Sequence, residues 1–216
     1  MGLRSLVRRG WGRICQSRSL ARRIFGVDFP ALPPGGRYFD LTTAALVSVA
    51  APRLGPGRRL LDMGTGAFAT IGLALWRRTG CDVVSTDVRP DLVRQAQANV
   101  NANRAPIRVL EARYFEGVDG EFDCVTFNVP YVPSRLLPGP GDVQSDGGPE
   151  GTSVIEGFLD AFAARGTRAT AYLGVNRVFV PREKVVSLVE RRSGLVLEQV
   201  RRRWPWPVDV YVLARR

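Results

Sequence analysis

The stretch Arg59-Leu60-Leu61-Asp62-Met63-Gly64-Thr65-Gly66-Ala67-Phe68-Ala69-Thr70 decides the fold. It reads as a short apolar strand, an acidic residue, a Gly-x-Gly turn and the start of a helix that runs to Arg78. Gly64 and Gly66 carry no Cβ, which permits a tight turn and lets a ligand lie against the backbone around Thr65. The helix behind the turn offers free N–H groups at its start. A dinucleotide site would place a third glycine where Ala69 stands. A pyrophosphate is therefore disfavoured, and Asp62 suits a ligand with a cationic amino group instead. Standing alone, D-x-G-x-G marks any strand–helix turn of an α/β protein.

Outward from this turn, strands and helices alternate. Residues 38–51 read as a helix with Asp40 as its N-cap and Pro52 ending it. After strand Arg58–Met63 and helix 67–78 come strand Asp82–Asp87, helix Pro90–Asn103 and strand Ile107–Leu110. Strand Phe122–Phe127 ends in Asn128, and a Gly/Pro-rich loop from Ser134 to Gly151 follows. It is long enough to read as a lid over a bound acceptor. Helix 152–164, strand Arg168–Val175 and helix Pro181–Arg192 come next. Strands Leu195–Arg203 and Val208–Ala214 close the chain around Trp204-Pro205-Trp206-Pro207, which reads as an aromatic turn. The alternation predicts a mostly parallel, doubly wound sheet. The last two strands must be antiparallel, because a parallel crossover needs about a dozen residues.

Composition narrows the chemistry. The 216 residues contain no histidine, which removes His triads, His metal ligands and His acid–base catalysis. No metal site is expected. Three scattered cysteines suggest a reducing, cytoplasmic setting. No apolar run approaches the ~20 residues that span a bilayer. Residues 1–59 hold eleven arginines against Asp28 and Asp40, a net +9, and residues 165–216 carry a net +8 around a middle of −6. Basic ends of this kind point to an anionic partner such as RNA or a ribonucleoprotein. Leu3, Val7, Trp11 and Ile14 recur at helical spacing among arginines. Residues 1–25 thus read as a basic amphipathic helix packed on its own domain; a transit peptide, a membrane-surface helix and a lid or substrate arm are the other readings. Pro30, Pro33, Pro34, Gly35 and Gly36 then mark a boundary, giving a basic arm and linker over 1–36 and a main domain over 37–216.

In open α/β sheets ligands lie beyond the carboxyl ends of the strands. Three such ends carry chemistry: Asp62-Met-Gly-Thr-Gly, Asp87-Val88-Arg89 and Asn128-Val129-Pro130-Tyr131-Val132-Pro133. Asp87 stands at about the offset from the glycine turn at which an acid meets a ribose diol. This order resembles the class I S-adenosylmethionine-dependent methyltransferases, in the branch that methylates planar nitrogen. Together with Gly147-Gly148-Pro149-Glu150-Gly151, the Asn128 stretch resembles the N-P-P-Y-x-P and G-G-x-x-G of HemK/PrmC protein-glutamine methyltransferases. Val129 departs from that pattern and is more similar to the aliphatic residue of rRNA adenine dimethyltransferases.

The resemblance implies an α/β, Rossmann-like seven-stranded sheet, mostly parallel with an antiparallel C-terminal hairpin, and S-adenosyl-L-methionine as cofactor. It implies cofactor contacts from Asp62, Gly64, Thr65, Gly66, Asp87, Val88, Asn128 and the loop at Arg113 and Tyr114, where Tyr114 or Phe115 flanks an adenine ring. Asn128, Val129, Pro130 and Tyr131 fall where the family does its chemistry. An amide or aromatic amino nitrogen is a poor nucleophile because its lone pair is delocalised, so it must be aligned, an effect worth roughly 7–11 kcal/mol. The Asn128 carbonyl and the Val129 backbone carbonyl are two acceptors for its two N–H bonds. Pro130 stiffens that backbone, and Tyr131 can stack on a planar group for ~1–3 kcal/mol. The expected acceptor is a protein glutamine; an RNA adenine, a small natural product or peptide, and an inactive cofactor-binding module are the alternatives.

Overall fold

The computed structural model describes residues 14–30, 37–137, 145–203 and 206–216. Most of the arm read over 1–25, the linker 31–36, the loop tip 138–144 and Trp204-Pro205 lie outside the described residues. The helices are α1 (Arg18–Phe25), α2 (Leu41–Ala50), α3 (Thr70–Thr79), α4 (Pro90–Ala102), α5 (Ser153–Arg165) and α6 (Arg182–Glu190). The strands are β1 (Arg59–Met63), β2 (Asp82–Asp87), β3 (Arg108–Glu111), β4 (Cys124–Asn128), β5 (Thr170–Asn176), β6 (Leu195–Arg203) and β7 (Val208–Arg215).

The seven strands form one sheet in the order β3-β2-β1-β4-β5-β7-β6. Strands β1 to β5 are mutually parallel, and β7 runs antiparallel between β5 and β6. This is the expected seven-stranded, mostly parallel sheet with its C-terminal antiparallel hairpin. Successive side chains leave a strand on opposite faces, and both faces are buried here. Leu60, Val83, Cys124, Tyr172 and Val212 join α1 to α4 in one cluster. Their neighbours Leu61, Val125, Leu173 and Leu213 join α5 and α6 in the other. That explains why the strands read as continuous apolar runs rather than alternating ones. Cys15, Ala21, Phe25, Val27 and Phe29 are buried in the same cluster as the sheet, so the described part of the arm packs on the main domain.

Several boundaries shift from expectation, as where the helix read over 38–51 begins at Leu41 and the strand read over Phe122–Phe127 spans Cys124–Asn128; one shift bears on the site. The helix after the glycine turn begins at Thr70, three residues later than the sequence suggests. Ala69 is left-handed, with φ 48°, and a helix cannot start through such a residue. Residues 66–69 therefore form a turn that lengthens the loop beside the strand tips.

Helix α2 lies across β4, β5 and β7. Asp40 caps it in a reciprocal box with Thr43. Its close approach depends on Gly174 of β5, where an added Cβ would run into Thr42 Cγ2 and stand 2.8 Å from Leu46 Cδ1. Gly174→Ala is expected to destabilise the protein by about 1–3 kcal/mol, as overpacking does. Urea unfolding reads this as a lower midpoint with an unchanged slope. An unchanged midpoint would mean that α2 has room to retreat.

Candidate active site

Register brings the three expected strand ends together. Met63 of β1 pairs with Thr86 of β2 on one side and Phe127 of β4 on the other. Gly64, Asp87 and Asn128 therefore leave the sheet at the same level. Chain order reverses between β1 and β4, so this level is the switch point at which open α/β sheets bind ligands.

Asp62 anchors the turn and is fully buried. Its carboxylate accepts hydrogen bonds from Thr65 Oγ1 at 2.6 Å, Gly72 N at 3.1 Å and Thr126 Oγ1 at 3.0 Å. The sequence reading set Asp62 against a cationic amino group of the ligand; the structure surrounds it with groups of the protein. Burial pushes its pKa up to about 6 against the pull of these donors. Thr65 N donates to Thr86 O at 2.8 Å, which ties the turn to β2. Gly64 has φ +63°, and a Cβ there would sit 2.6 Å from Phe127 Cε2. The Phe127 ring thus packs on the turn from below. Gly66, also at φ +63°, faces open space, with nothing within 4 Å of where a Cβ would be.

Asp87 is buried at the tip of β2, with its pKa raised mainly by that burial. It accepts from Gly66 N at 2.9 Å and Arg89 N at 3.1 Å, one bond to each oxygen. Each oxygen keeps a second lone pair for a hydroxyl. Next to it, Val88 is 55% exposed, an apolar side chain standing free at a strand tip. A buried acid, a bare backbone turn and an exposed aliphatic group fit a nucleoside. They suit ribose hydroxyls at Asp87, the chain of the cofactor along Gly64–Gly66, and an adenine face at Val88.

The loop after β3 is less uniform. Tyr114 is left-handed at φ 52°, and its hydroxyl donates to Val154 O at 3.3 Å near the start of α5. Strained residues of this kind gather at functional sites. Arg113 is exposed, its guanidinium 5.9 Å from the centre of the Tyr114 ring. Phe115 is half-buried, packing against Phe158 and Phe162 of the core, both at 6.3 Å, with the Arg165 guanidinium 5.2 Å from its ring centre. That occupies Phe115 as a wall for adenine and leaves Tyr114 as the aromatic residue of this loop.

At the tip of β4, Asn128 is half-buried and the Val129 side chain is buried. Asn128 Nδ2 donates to the Asp40 carboxylate at 3.3 and 3.4 Å and lies 3.4 Å from Thr43 Oγ1. Tyr131 shares a hydrogen bond with Thr42 Oγ1 at 3.2 Å and stacks on Phe179 at 5.8 Å. Burial raises the pKa of its phenol, so it stays protonated. Behind Pro130–Pro133, the G-G-x-x-G segment acts as a staple. Gly147 N donates to Val132 O and Val132 N to Ser145 O, both at 2.9 Å. A Cβ on Gly151 would meet Tyr131 O at 2.5 Å. The base of the long loop is therefore stitched to the Asn-Val-Pro-Tyr segment, while its tip lies outside the described residues. Phe179 is steadied from below: buried Asp209 accepts from Arg177 at 2.8 Å and Arg182 at 3.0 Å. Sequence reading missed Phe179 and Asp209, for which no local motif exists. It read Asp40 only as the N-cap of the helix over 38–51 and missed that Asp40 and Thr42 touch the site.

Residues 35–135 match the family described as Methyltransferase small domain. With the sheet order and the convergent tips above, this settles the fold. It is the fold of class I, S-adenosylmethionine-dependent methyltransferases. A methyltransferase structure from Pyrococcus furiosus superposes on this chain with TM-score 0.70 at 19% identity, over 97% of this chain and 98% of the other. The Mtq2 methyltransferase of E. cuniculi, solved with Trm112 and described as methylating the eRF1 termination factor, gives TM-score 0.54 at 26% identity, over 81% and 94%. A putative protein N5-glutamine methyltransferase of Methanocaldococcus jannaschii is 29% identical over 92 residues, 41% of this chain and 47% of that one. The match thus spans about half the length of that curated relative. Among the described residues no helix is long and apolar enough to cross a membrane, and no cluster of ligating side chains is suited to a metal ion.

The raised pKa of Asp62 has a thermodynamic consequence. The folded state holds this proton more tightly than the unfolded chain, whose carboxyl titrates at the ordinary 3.8. The stabilisation is complete below that value and is lost as pH rises through about 6. Asp62→Asn should remove the effect. From about pH 4 to about pH 6 the wild type is expected to lose stability relative to the variant, measured by urea unfolding at each pH. Parallel curves would show that Asp62 stays ionised in the fold.

Proposed function

We propose that this chain transfers a methyl group from S-adenosylmethionine to a planar amide or amino nitrogen, with the side-chain amide of a protein glutamine as the favoured acceptor. The observation that carries the reading is the placement of Asn128 one strand from the Gly64–Gly66 turn, at the same level of the sheet. The cofactor supplies an electrophilic methyl; this chain supplies alignment. Gly64, Thr65 and Gly66 lie along the cofactor in this reading, with Asp87 and Val88 at its ribose and adenine. Asn128 Oδ1 and the Val129 carbonyl accept the two N–H bonds of the acceptor, turning its lone pair toward the methyl and stabilising positive charge as it develops on nitrogen. Tyr131, braced by Phe179, offers a flat wall to a planar group. No histidine is required, because the proton can leave to water after transfer.

The glutamine preference draws support from the similarity to the archaeal protein named for N5-glutamine and to the eRF1-methylating enzyme. The G-G-x-x-G staple on Tyr131 is a second support. In this reading residues 37–216 are the catalytic domain, residues 1–36 a basic arm, and the partner a protein or ribonucleoprotein in the cytoplasm. An adenine amino group of RNA is the second reading, favoured by exposed Arg191, Arg201 and Arg202 near and along the edge strand β6.

Labelled S-adenosylmethionine, offered with total protein and with total RNA, separates the two: label in protein is expected, and label in RNA alone would replace glutamine by adenine. Asn128→Ala should bind S-adenosylhomocysteine as the wild type does while transfer falls by about 100-fold or more, the scale of losing one aligned polar contact. Loss of cofactor binding with the same variant would remove Asn128 from the acceptor side.

A further inference from the structure

A carboxylate has no proton to donate, so the two contacts from Asn128 to Asp40 fix which end of the amide faces it. Nδ2 must turn to Asp40, and Oδ1 must turn away. We propose that Asp40 is a positioning residue: its carboxylate holds Asn128 so that Oδ1 is presented to the methyl-accepting nitrogen. This rests on the reading of Asn128 as the group that binds the acceptor.

The geometry goes beyond a helix cap. Capping α2 requires one acceptor for Thr43 N, which Asp40 Oδ1 supplies at 2.7 Å. Asp40 also accepts from Thr43 Oγ1 at 2.9 Å, and both of its oxygens lie within 3.4 Å of Asn128 Nδ2, 88 residues away in sequence. Thr42, two residues on, reaches Tyr131 in the same motif. The first turn of α2 thus grips both polar side chains of Asn-Val-Pro-Tyr. Gly174, paired with Asn128 in the sheet, leaves the space that lets this turn come down on them. Thr70 Oγ1 donates to Tyr38 O at 3.0 Å, which ties the same segment to the first turn of α3 on the cofactor side. Without Asp40, the Asn128 amide keeps only the longer contact to Thr43 Oγ1 at 3.4 Å, a weak hold on its orientation. With the opposite end presented, an N–H would face the N–H of the acceptor.

Asp40→Ser separates positioning from capping, since serine is an equally good N-cap but too short to reach Asn128. The melting temperature should stay within about 3 °C of wild type, and affinity for S-adenosylhomocysteine should be unchanged. In ¹⁵N-resolved NMR, the Asn128 side-chain amide pair, assigned by its loss in Asn128→Asp, should exchange slowly in the wild type and rapidly in Asp40→Ser. Methyl transfer to whichever pool takes label should fall by about 100-fold, the scale of a misplaced contact, and Asp40→Asn should recover part of it. An Asn128 amide unaffected by Asp40→Ser would overturn the proposal. So would a global loss of stability or of cofactor binding in that variant, or equal transfer by wild type and variant. The NMR arm needs no acceptor, so it decides the role of Asp40 even if neither protein nor RNA takes label and the methyltransferase reading fails.

Discussion

A single buried carboxylate holds the centre of this molecule together. Asp62 has no exposure to water, and burying an acid without partners is strongly unfavourable. Its three donors come from the glycine turn, the first turn of α3 and strand β4. Satisfying Asp62 therefore requires those three elements to meet at one point. The demand reaches further into the packing. Gly72 must be small, because a Cβ there would stand 2.7 Å from Ser85 Oγ and 3.2 Å from Asp62 Oδ2. Helix α3 consequently sits hard against the β1–β2 floor. The positions of Gly64, Asp87 and Asn128 follow from that seat.

The acceptor side is built on a different principle. No one residue anchors Asn-Val-Pro-Tyr; three separate segments close around it. The start of α2 binds Asn128 and Tyr131 through side chains. The G-G-x-x-G segment holds its backbone by close approach, which larger residues would prevent. The loop after β5 braces the Tyr131 ring with Phe179, and buried Asp209 ties that loop down through two arginines. Breaking a buried pair of that kind leaves an uncompensated charge, so the Arg–Asp–Arg arrangement is a firm support. The glycine turn and the Asn-Val-Pro-Tyr segment join through Tyr38, which meets Phe68 of the turn at 5.5 Å and stands two residues before the α2 cap.

Much of this is legible in local sequence. Apolar runs bounded by turns place all seven strands, and the central strands β1 and β4 are apolar on both faces because both are covered. The short connection through Trp204–Pro207 dictates an antiparallel hairpin. Glycines flag the two places where backbone must bend or approach closely. Other features resist such reading. Helix α3 begins late because Ala69 adopts a left-handed conformation that alanine rarely takes, and only the surrounding packing can impose it. Phe115 packs against the core because Phe158 and Phe162 are there to receive it, on a helix some forty residues further along.

The amino-acid sequence by itself determined the layer architecture, the strand directions and the three strand ends that carry polar chemistry. These depend on periodicity, turn residues and connection length, all of them short-range quantities. Only the tertiary structure decided what each polar group does. Asp62 serves the scaffold and Asp87 keeps lone pairs free. Asp40, unremarkable as a cap, also reaches the Asn128 amide, 88 residues away in sequence. A carboxylate's role depends on which donors reach it in space, and those donors come from segments the chain order keeps apart.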